Sequence, residues 1–193
     1  MPLDGALIDQ LAGRLEQAQR VLVVSHIRPD GDAIGSLLGW GLALQASGRQ
    51  VEMISEDGVP SSLRHLPGAG QVTSRPKGQA FDLVCVVDCS DLERTGGVLT
   101  GRGSPDVNID HHPTNLNFAA LNLVDIQAVA TAEIVAGIIG RLQLPMNPDV
   151  AAALVTGLIT DTIGFRTSNV TPNALRLAAG LMEQGVDLPD LYR

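Results

Sequence analysis

The sequence predicts an α/β fold in which a doubly wound, mostly parallel sheet is flanked by helices. Short β-branched apolar segments alternate along the chain with longer segments that carry helical apolar spacing, the order typical of such a fold. The strands are continuously apolar, as in a parallel sheet that is covered on both faces. Ligands of these folds bind at the carboxyl ends of the strands. Functional side chains are therefore expected on the loops that follow the strands.

The helices are predicted from apolar spacing and from their ends. Leucines at helical spacing, with acidic residues between them, predict an amphipathic helix at the start of the chain rather than a signal peptide. These are Leu3, Leu7, Leu11 and Leu15. Further helices are predicted over residues 33–47, 130–142, 148–160 and 171–184. The first of these stops at Gly48, and the last opens with Thr171 and Pro172, which suit a helix N-terminus.

Strands are predicted over residues 21–25, 51–55, 81–87, 107–110 and 121–124. The Pro, Gly and Ser content of residues 58–78 predicts a surface excursion between two of them. No repeat or low-complexity block divides the chain, so residues 1–193 are interpreted as one domain. The closing Asp-Leu-Pro-Asp-Leu-Tyr-Arg resembles the start of a helix or linker, and the natural polypeptide is expected to continue beyond Arg193.

Composition limits the classes of function. The formal net charge of −8 argues against a surface that coats nucleic acid through clustered Lys and Arg. A phosphate site here must be locally cationic, and bound divalent metals would supply that charge. No apolar run approaches the roughly 20 residues that span a bilayer, so no membrane partner is expected and a cytoplasmic location is the simplest interpretation. Cys85 and Cys89 lie too far apart along an extended segment to form a disulfide and are expected to be free thiols.

Three potential metal ligands fall on the loop after the first predicted strand: His26, Asp30 and Asp32. Pro29 stiffens this loop, and Gly31 permits tight backbone geometry between the two carboxylates. Asp32 is expected to be held ionised by the dipole of the helix that it starts. Gly35 and Gly39 leave one face of that helix free of side chains, which predicts a close approach to the sheet.

Later segments deliver further acids and imidazoles. Asp88 follows the strand over residues 81–87, and Asp110, His111 and His112 end the next strand. Asp161 closes a helical run. Because the carboxyl ends of parallel strands meet at one edge of a sheet, these residues are expected to converge with those of the first loop.

Carboxylate and imidazole ligands together suit Mn²⁺, Fe²⁺, Co²⁺ or Zn²⁺, whereas an all-oxygen set favours Mg²⁺ or Ca²⁺. We expect two divalent ions, with Mn²⁺ as the first choice. Two ions about 3.5–4 Å apart can bridge a hydroxide, lower its pKa, and clamp the attacking and leaving oxygens of a displacement at phosphorus. The residue pattern therefore predicts the hydrolysis of phosphate esters.

Several polar residues near these motifs have a second interpretation. Asp91 can cap a turn and is left out of the predicted site, while Asp110 is interpreted as the partner that orients His111. Arg166 is predicted to contact phosphate, because its forked donors match phosphate oxygens, with a surface ion pair as the alternative. For Arg28 two interpretations stay open: a role in the site, or a side chain that projects into water.

At these positions the sequence resembles the DHH phosphoesterase superfamily. Residues 26–36 match its first motif, and Asp88 corresponds to the second motif. Asp110, His111 and His112 correspond to the third motif, and Asp161 to the fourth. The resemblance covers essentially the whole chain in order.

The resemblance implies a ligand set and catalytic roles. One metal would be held by His26, Asp30 and Asp88. The other would be held by Asp32, Asp88, His111 and Asp161, so that Asp88 bridges the two ions. His112 would contact the scissile phosphate, and Asp88, His111 and His112 are the catalytic residues that the resemblance implies.

Within the superfamily, residues 31–36 and 165–169 resemble the branch of nanoRNases that also dephosphorylate 3′-phosphoadenosine 5′-phosphate. That branch implies nucleotides or short single-stranded oligonucleotides as substrates. Family II inorganic pyrophosphatases usually carry Thr and Ser where this chain has Gly31 and Ala33. The pyrophosphatase interpretation is therefore less favoured than the nanoRNase one. RecJ-type exonucleases and cyclic dinucleotide phosphodiesterases are further alternatives. The chain departs from the branch at Cys89 and Ile163, neither of which is an expected ligand.

Members of this branch also have a small C-terminal substrate-binding domain, and nothing in these residues resembles it. The chain is therefore interpreted as a catalytic lobe that binds metal yet turns over nucleotides weakly. The C-terminal domain is expected in the full-length protein, and a homodimer is compatible with the sequence. A metal-free scaffold that keeps the fold is the alternative from another class of protein, and the intact ligand positions argue against it.

Overall fold

The computed structural model describes residues 4–78 and 80–191. Leu3, which the leucine pattern placed in the first helix, lies outside the described residues, as do Tyr192 and Arg193. The strands form one sheet in the order β2-β1-β3-β4-β5, and every neighbouring pair is parallel. They are β1 (Arg20–Val24), β2 (Gln50–Ile54), β3 (Leu83–Val87), β4 (Val107–Asp110) and β5 (Leu121–Val124). The predicted α/β fold with a parallel sheet is confirmed.

The described α-helices follow the predicted order with ends shifted by one or two residues. They are α1 (Gly5–Gln17), α2 (Gly31–Ala46), α3 (Thr131–Arg141), α4 (Pro148–Asp161), α5 (Pro172–Met182) and the short α6 (Leu188–Leu191). α2 begins two residues earlier than predicted because the Asp30 side chain accepts hydrogen bonds from the N–H groups of Asp32 and Ala33, at 3.1 and 3.0 Å. Asp30 is therefore both the N-cap of α2 and a predicted metal ligand.

The two faces of the sheet are covered differently. Buried side chains of α1 to α5 belong to one apolar core, which also takes Val21 and Val23 of β1. The alternate residues Leu22 and Val24 face the other side, where they pack in a smaller cluster. Residues 89–99 help to cover that side, with a 3₁₀ turn at Glu93–Thr95 instead of an α-helix. Burial on both faces explains why β3 and residues 21–24 of β1 are continuously apolar.

α2 and α4 pack with almost no space between them. A methyl group added at Gly35 would lie 2.5 Å from the carbonyl oxygen of Ala153 and 2.8 Å from the backbone nitrogen of Gly157, and one at Gly39 would meet Leu154. The side-chain-free face of α2 therefore approaches α4, and the prediction that it approaches the sheet is wrong. The reason is the core arrangement, since residues 31–44 of α2 are buried and pack against both the sheet and α4.

Two further expectations concern cysteines and membranes. Cys85 and Cys89 are free and buried, as predicted, and burial raises the pKa of each thiol to about 12. Across residues 4–78 and 80–191, no helix has both the length and the apolar character needed to cross a membrane.

The contact between α2 and α4 predicts the effect of filling it. Gly35→Ala forces a methyl group against the α4 backbone, and we expect it to lower the free energy of unfolding by about 1–3 kcal/mol. The matched control is Gly13→Ala in α1, where a methyl group would have no neighbour within 4 Å. This control should raise the stability by up to about 1 kcal/mol through helix propensity. Urea unfolding followed by circular dichroism measures both; equal effects would contradict the packing argument.

Candidate metal centre

The predicted ligands lie at the edge of the sheet where β1, β3 and β4 end. His26 comes shortly after β1, Asp88 directly after β3 and His111 directly after β4. β2 and β3 lie on opposite sides of β1, so the direction of winding changes there and a crevice opens at the carboxyl ends of the strands. α2 begins at this crevice and α4 ends there, which adds Asp32 and Asp161.

The first ligand group consists of His26, Asp30 and Asp88, whose ligand atoms all lie within 4.8 Å of one another. Nε2 of His26 is 3.4 Å from Oδ2 of Asp88 and 4.0 Å from Oδ1 of Asp30. Nδ1–H of His26 donates to the carbonyl of Ile27 at 2.8 Å, which directs Nε2 toward the carboxylates. This geometry suits a metal-binding imidazole.

The second ligand group consists of Asp32, His111 and Asp161, which satisfy the same distance limit. Nε2 of His111 lies 3.6 Å from Oδ2 of Asp161 and 4.0 Å from Oδ2 of Asp32. Its Nδ1 is 3.4 Å from the carbonyl oxygen of Ala128, so that nitrogen is the one directed away from the acids. Each group thus presents one histidine Nε2 to a set of carboxylates.

Asp88 joins the two groups. Its Oδ2 faces His26, and its Oδ1 lies 3.9 Å from Nε2 of His111. The residue has a φ of 54°, a left-handed conformation that Asp tolerates better than most residues and that directs the chain sharply away from β3. Burial disfavours the charge of Asp88, but hydrogen bonding and the charge of His26, aided by Thr131, lower its pKa below the ordinary value.

Asp32 is held by a different helix from the one it starts. Its two carboxylate oxygens accept from the N–H groups of Thr131 and Ala132 at the N-terminus of α3, at 2.6 and 3.0 Å, and from Ser36 at 3.1 Å. α3 has no capping side chain of its own, so Asp32 takes that place. Asp32 lies in the first turn of α2, as predicted, but the backbone N–H groups that its carboxylate accepts from belong to α3.

The acids of the centre repel one another. Burial, followed by the charges of Asp88 and Asp161, raises the pKa of Asp32 well above its ordinary value despite its hydrogen bonds to α3. Burial also raises the pKa of Asp161, with His111 opposing the rise. A cluster of this kind is stabilised by bound cations.

The residues present fit two divalent cations. Four carboxylates and two imidazoles form the groups, so two doubly charged ions would balance the carboxylate charge. Mixed nitrogen and oxygen donors suit Mn²⁺, Fe²⁺, Co²⁺ or Zn²⁺.

His112 and Asp110 form a pair beside the two groups. Nδ1–H of His112 donates to Oδ1 of the buried Asp110 at 2.7 Å and lies 3.7 Å from Oδ1 of Asp88. Asp110 therefore orients His112. The interpretation that it orients His111 is wrong. The hydrogen bond that His112 donates to Asp110, with burial opposing, raises the pKa of His112.

Arg166 is not brought to the carboxylates. It is exposed, and its Nε donates to the carbonyl of Ile163 at 2.8 Å within the turn that follows α4. No hydrogen bond or ion pair within the described part of the chain connects it with either ligand group. Ile163, Gly164 and Phe165 all have left-handed φ values, so this turn folds back on itself.

Sequence reasoning missed three side chains that hold the predicted ligands. Oγ1 of Thr131 donates to Oδ1 of Asp88 at 2.8 Å, and Ser36 donates to Asp32. Asn115 donates to Oδ2 of Asp110 at 2.6 Å. The only available signal was the position of Thr131 at the start of a predicted helix; Ser36 and Asn115 lie beside motifs without a spacing that identifies them.

The shared position of Asp88 predicts a graded loss of metal. The wild type should bind about two ions per chain. Asp161→Asn should leave about one, because only the second group loses a ligand, whereas Asp88→Asn should weaken both sites. Asp125→Asn, at the end of β5 but outside both groups, is the control and should bind as the wild type does. Titration calorimetry with Mn²⁺ measures the number of ions bound per chain. Equal losses of bound Mn²⁺ in the Asp161 and Asp88 variants would argue against a carboxylate shared by the two sites.

The turn after α4 predicts a stabilising substitution. Ile163 is 59% exposed and has a φ of 51°, which is costly for a β-branched residue. Ile163→Gly should raise the free energy of unfolding by about 1 kcal/mol. Ile126→Gly is the control, because Ile126 is similarly exposed, at 57%, without a positive φ. Ile126→Gly should lower the free energy of unfolding. The same change in both variants, measured by urea unfolding, would contradict the backbone strain inferred at Ile163.

Comparison with known proteins gives a family match over most of the chain. The model of the DHH family, N-terminal domain, matches residues 20–158, a range that spans every strand and most of the predicted ligands. A protein of Thermus thermophilus named "Bifunctional oligoribonuclease and PAP phosphatase NrnA" is 37% identical over 175 residues, which are 89% of this chain and 52% of that protein. The chain thus spans about half the length of this relative.

Solved structures agree in fold. An exopolyphosphatase-related protein from Bacteroides fragilis superposes with a TM-score of 0.89 at 28% identity, over 99% of this chain and 60% of that one. A putative family II inorganic pyrophosphatase from Methanococcus jannaschii gives a TM-score of 0.61 at 23% identity, over 86% of this chain and 57% of that one, a likeness in fold alone. The chain belongs to the DHH family, whose members are hydrolases of phosphoester bonds.

Proposed function

We propose that residues 1–193 form the catalytic domain of a metal-dependent phosphoesterase that hydrolyses short oligonucleotides and 3′-phosphoadenosine 5′-phosphate. The observation that carries this proposal is the shared position of Asp88 between two ligand groups. Two adjacent cation sites with a common carboxylate are the arrangement that clamps the attacking and leaving oxygens at phosphorus. The ligands proposed are His26, Asp30 and Asp88 for one ion and Asp32, Asp88, His111 and Asp161 for the other.

Two divalent ions, Mn²⁺ first, would supply a nucleophilic hydroxide at neutral pH and a positive field for the developing charge at phosphorus. The chain's own residues hold this centre in place. Nδ1–H of His26 is anchored on the Ile27 carbonyl, and Asp32 is anchored on the N-terminus of α3. Such anchoring keeps ligand positions fixed while the substrate binds.

His112 is proposed to act on the substrate. Its Nδ1–H is held by Asp110, so Nε2 is the nitrogen left to contact an oxygen of the scissile phosphate. The carboxylate of Asp110 favours the protonated imidazole, which can donate a hydrogen bond or a proton to the leaving oxygen. Asp110 is a positioning residue that acts through His112.

The substrate class is supported by the relative from Thermus thermophilus, whose name describes an oligoribonuclease and PAP phosphatase. Because this chain spans about half of that relative, we propose that the full-length protein also contains a C-terminal substrate-binding domain. We also propose that the protein is cytoplasmic and forms a homodimer. The proposed phosphate contact of Arg166 requires its side chain to leave the Ile163 carbonyl.

The function is tested by hydrolysis assays with Mn²⁺ on 3′-phosphoadenosine 5′-phosphate, a dinucleotide and pyrophosphate. Nucleotide hydrolysis by the wild type should fall at least about 100-fold in Asp88→Asn, because both ions depend on this carboxylate. Asp125→Asn should remain active. The 193-residue chain and any longer natural form are assayed side by side, and the longer form is expected to be faster.

Three other outcomes would redirect the proposal. Activity confined to pyrophosphate would place the chain with the pyrophosphatases of this fold. Activity only on long single strands or on cyclic dinucleotides would indicate an exonuclease of the RecJ type or a cyclic dinucleotide phosphodiesterase. If neither the 193-residue chain nor the longer natural form is active and neither binds metal, the protein is a scaffold that keeps the fold.

A further inference from the structure

Arg94 is anchored next to the metal centre by its backbone. It lies in the 3₁₀ turn Glu93–Thr95, which follows β3. Its N–H donates to Oδ1 of Asp91 at 2.9 Å, and its carbonyl accepts from the N–H of Ile27 at 2.7 Å. Ile27 is the neighbour of His26 in the first ligand group. Asp91, the acid left out of the predicted site, thus fixes the turn that carries Arg94.

The side chain of Arg94 is half-buried. Within residues 4–78 and 80–191, its guanidinium forms neither a hydrogen bond nor an ion pair. The acids on the adjoining loops are already engaged: Glu56 pairs with Arg75 and accepts from the N–H of Gly97, and Asp91 caps the turn. A half-buried guanidinium without an internal partner has five donors available to a ligand.

The turn that carries Arg94 lies beside the first ligand group. Ile27, whose N–H donates to the Arg94 carbonyl, directly follows His26, and Nε2 of His26 is 3.4 Å from Oδ2 of Asp88. Asp88 is also 3.7 Å from Nδ1 of His112, so the turn is close to the carboxylate that both ligand groups share.

The other arginines near the motifs are placed less favourably. Arg166 donates to the carbonyl of its own turn and is exposed. Arg28 is also exposed, and its N–H is held by Asp57 at 2.6 Å. Arg94 alone among these three combines a fixed backbone, partial burial and an unpaired guanidinium.

We propose that Arg94 binds the oxygens of a substrate phosphate group beside the two ligand groups. The ligand class is a phosphate monoester or diester with an unesterified oxygen that neither metal ion contacts. The forked guanidinium matches two such oxygens. This inference rests on the proposed phosphoesterase function.

Phosphate binding and catalysis are tested separately. The chain loaded with Mn²⁺ is titrated with adenosine 5′-monophosphate and with inorganic phosphate by calorimetry, as the wild type and as Arg94→Gln, Arg94→Lys and Arg64→Gln. Arg94→Gln should weaken the binding of both ligands about 10- to 100-fold, the loss expected for hydrogen bonds to a charged group. Arg94→Lys should recover part of the affinity. Arg64→Gln, which changes an exposed arginine bonded to Val59, is the matched control.

Metal content and kinetics separate this role from a structural one. Elemental analysis should give the same Mn²⁺ content in Arg94→Gln as in the wild type, and its KM for 3′-phosphoadenosine 5′-phosphate should rise at least about tenfold. Unchanged phosphate affinity in Arg94→Gln, or loss of its metal, would overturn the inference. A wild type that binds phosphate through Arg94 yet hydrolyses no nucleotide would leave this site intact and reject the proposed function instead.

Discussion

The arrangement of this protein depends on the mutual repulsion of carboxylates that are held close together at one end of a parallel sheet. Asp32 and Asp88 are almost completely buried, and Asp161 adds a third negative charge beside them. Backbone N–H groups, hydroxyls and imidazoles offset part of that repulsion within the chain. Burial, together with the charges of neighbouring carboxylates, raises the pKa values of Asp32 and Asp161. Cation binding is thus the constraint under which these elements are arranged.

The scaffold supports the centre through backbone contacts made far along the chain. The start of α3 caps a carboxylate that belongs to α2, and Thr131 connects the same point to Asp88. A single helix N-terminus therefore positions one ligand of the second group together with the carboxylate that both groups share. Asp110 and Asn115 form a second layer behind His112. Helix termini thus hold the buried carboxylates, while His26, Asp88 and His111 lie on the loops that follow the strands.

The fold and the ligand positions could be predicted because both follow local rules. Apolar runs identified the strands, helical spacing identified the helices, and parallel topology placed every strand end at one edge. The partner of each side chain could not be predicted in the same way. The carboxylate of Asp32 binds α3 instead of its own helix, Asp110 binds His112 instead of His111, and Gly35 faces α4 instead of the sheet. These contacts depend on tertiary packing, which hydrophobic periodicity does not encode. Arg94 was missed for the same reason, since its turn has no regular spacing.

The close contact between α2 and α4 connects core packing to the choice of metal. α2 delivers Asp32 at its start and α4 delivers Asp161 at its end, so the separation of the two helix axes also sets the span of the second ligand group. Gly35 and Gly157 keep that separation at its minimum. Divalent ions differ in radius and in the bond lengths that they accept, which makes cavity size a determinant of selectivity. Residues outside the ligand groups can therefore influence which divalent ion such a site would prefer, because the packing of α2 against α4 sets the distance between two of its carboxylates.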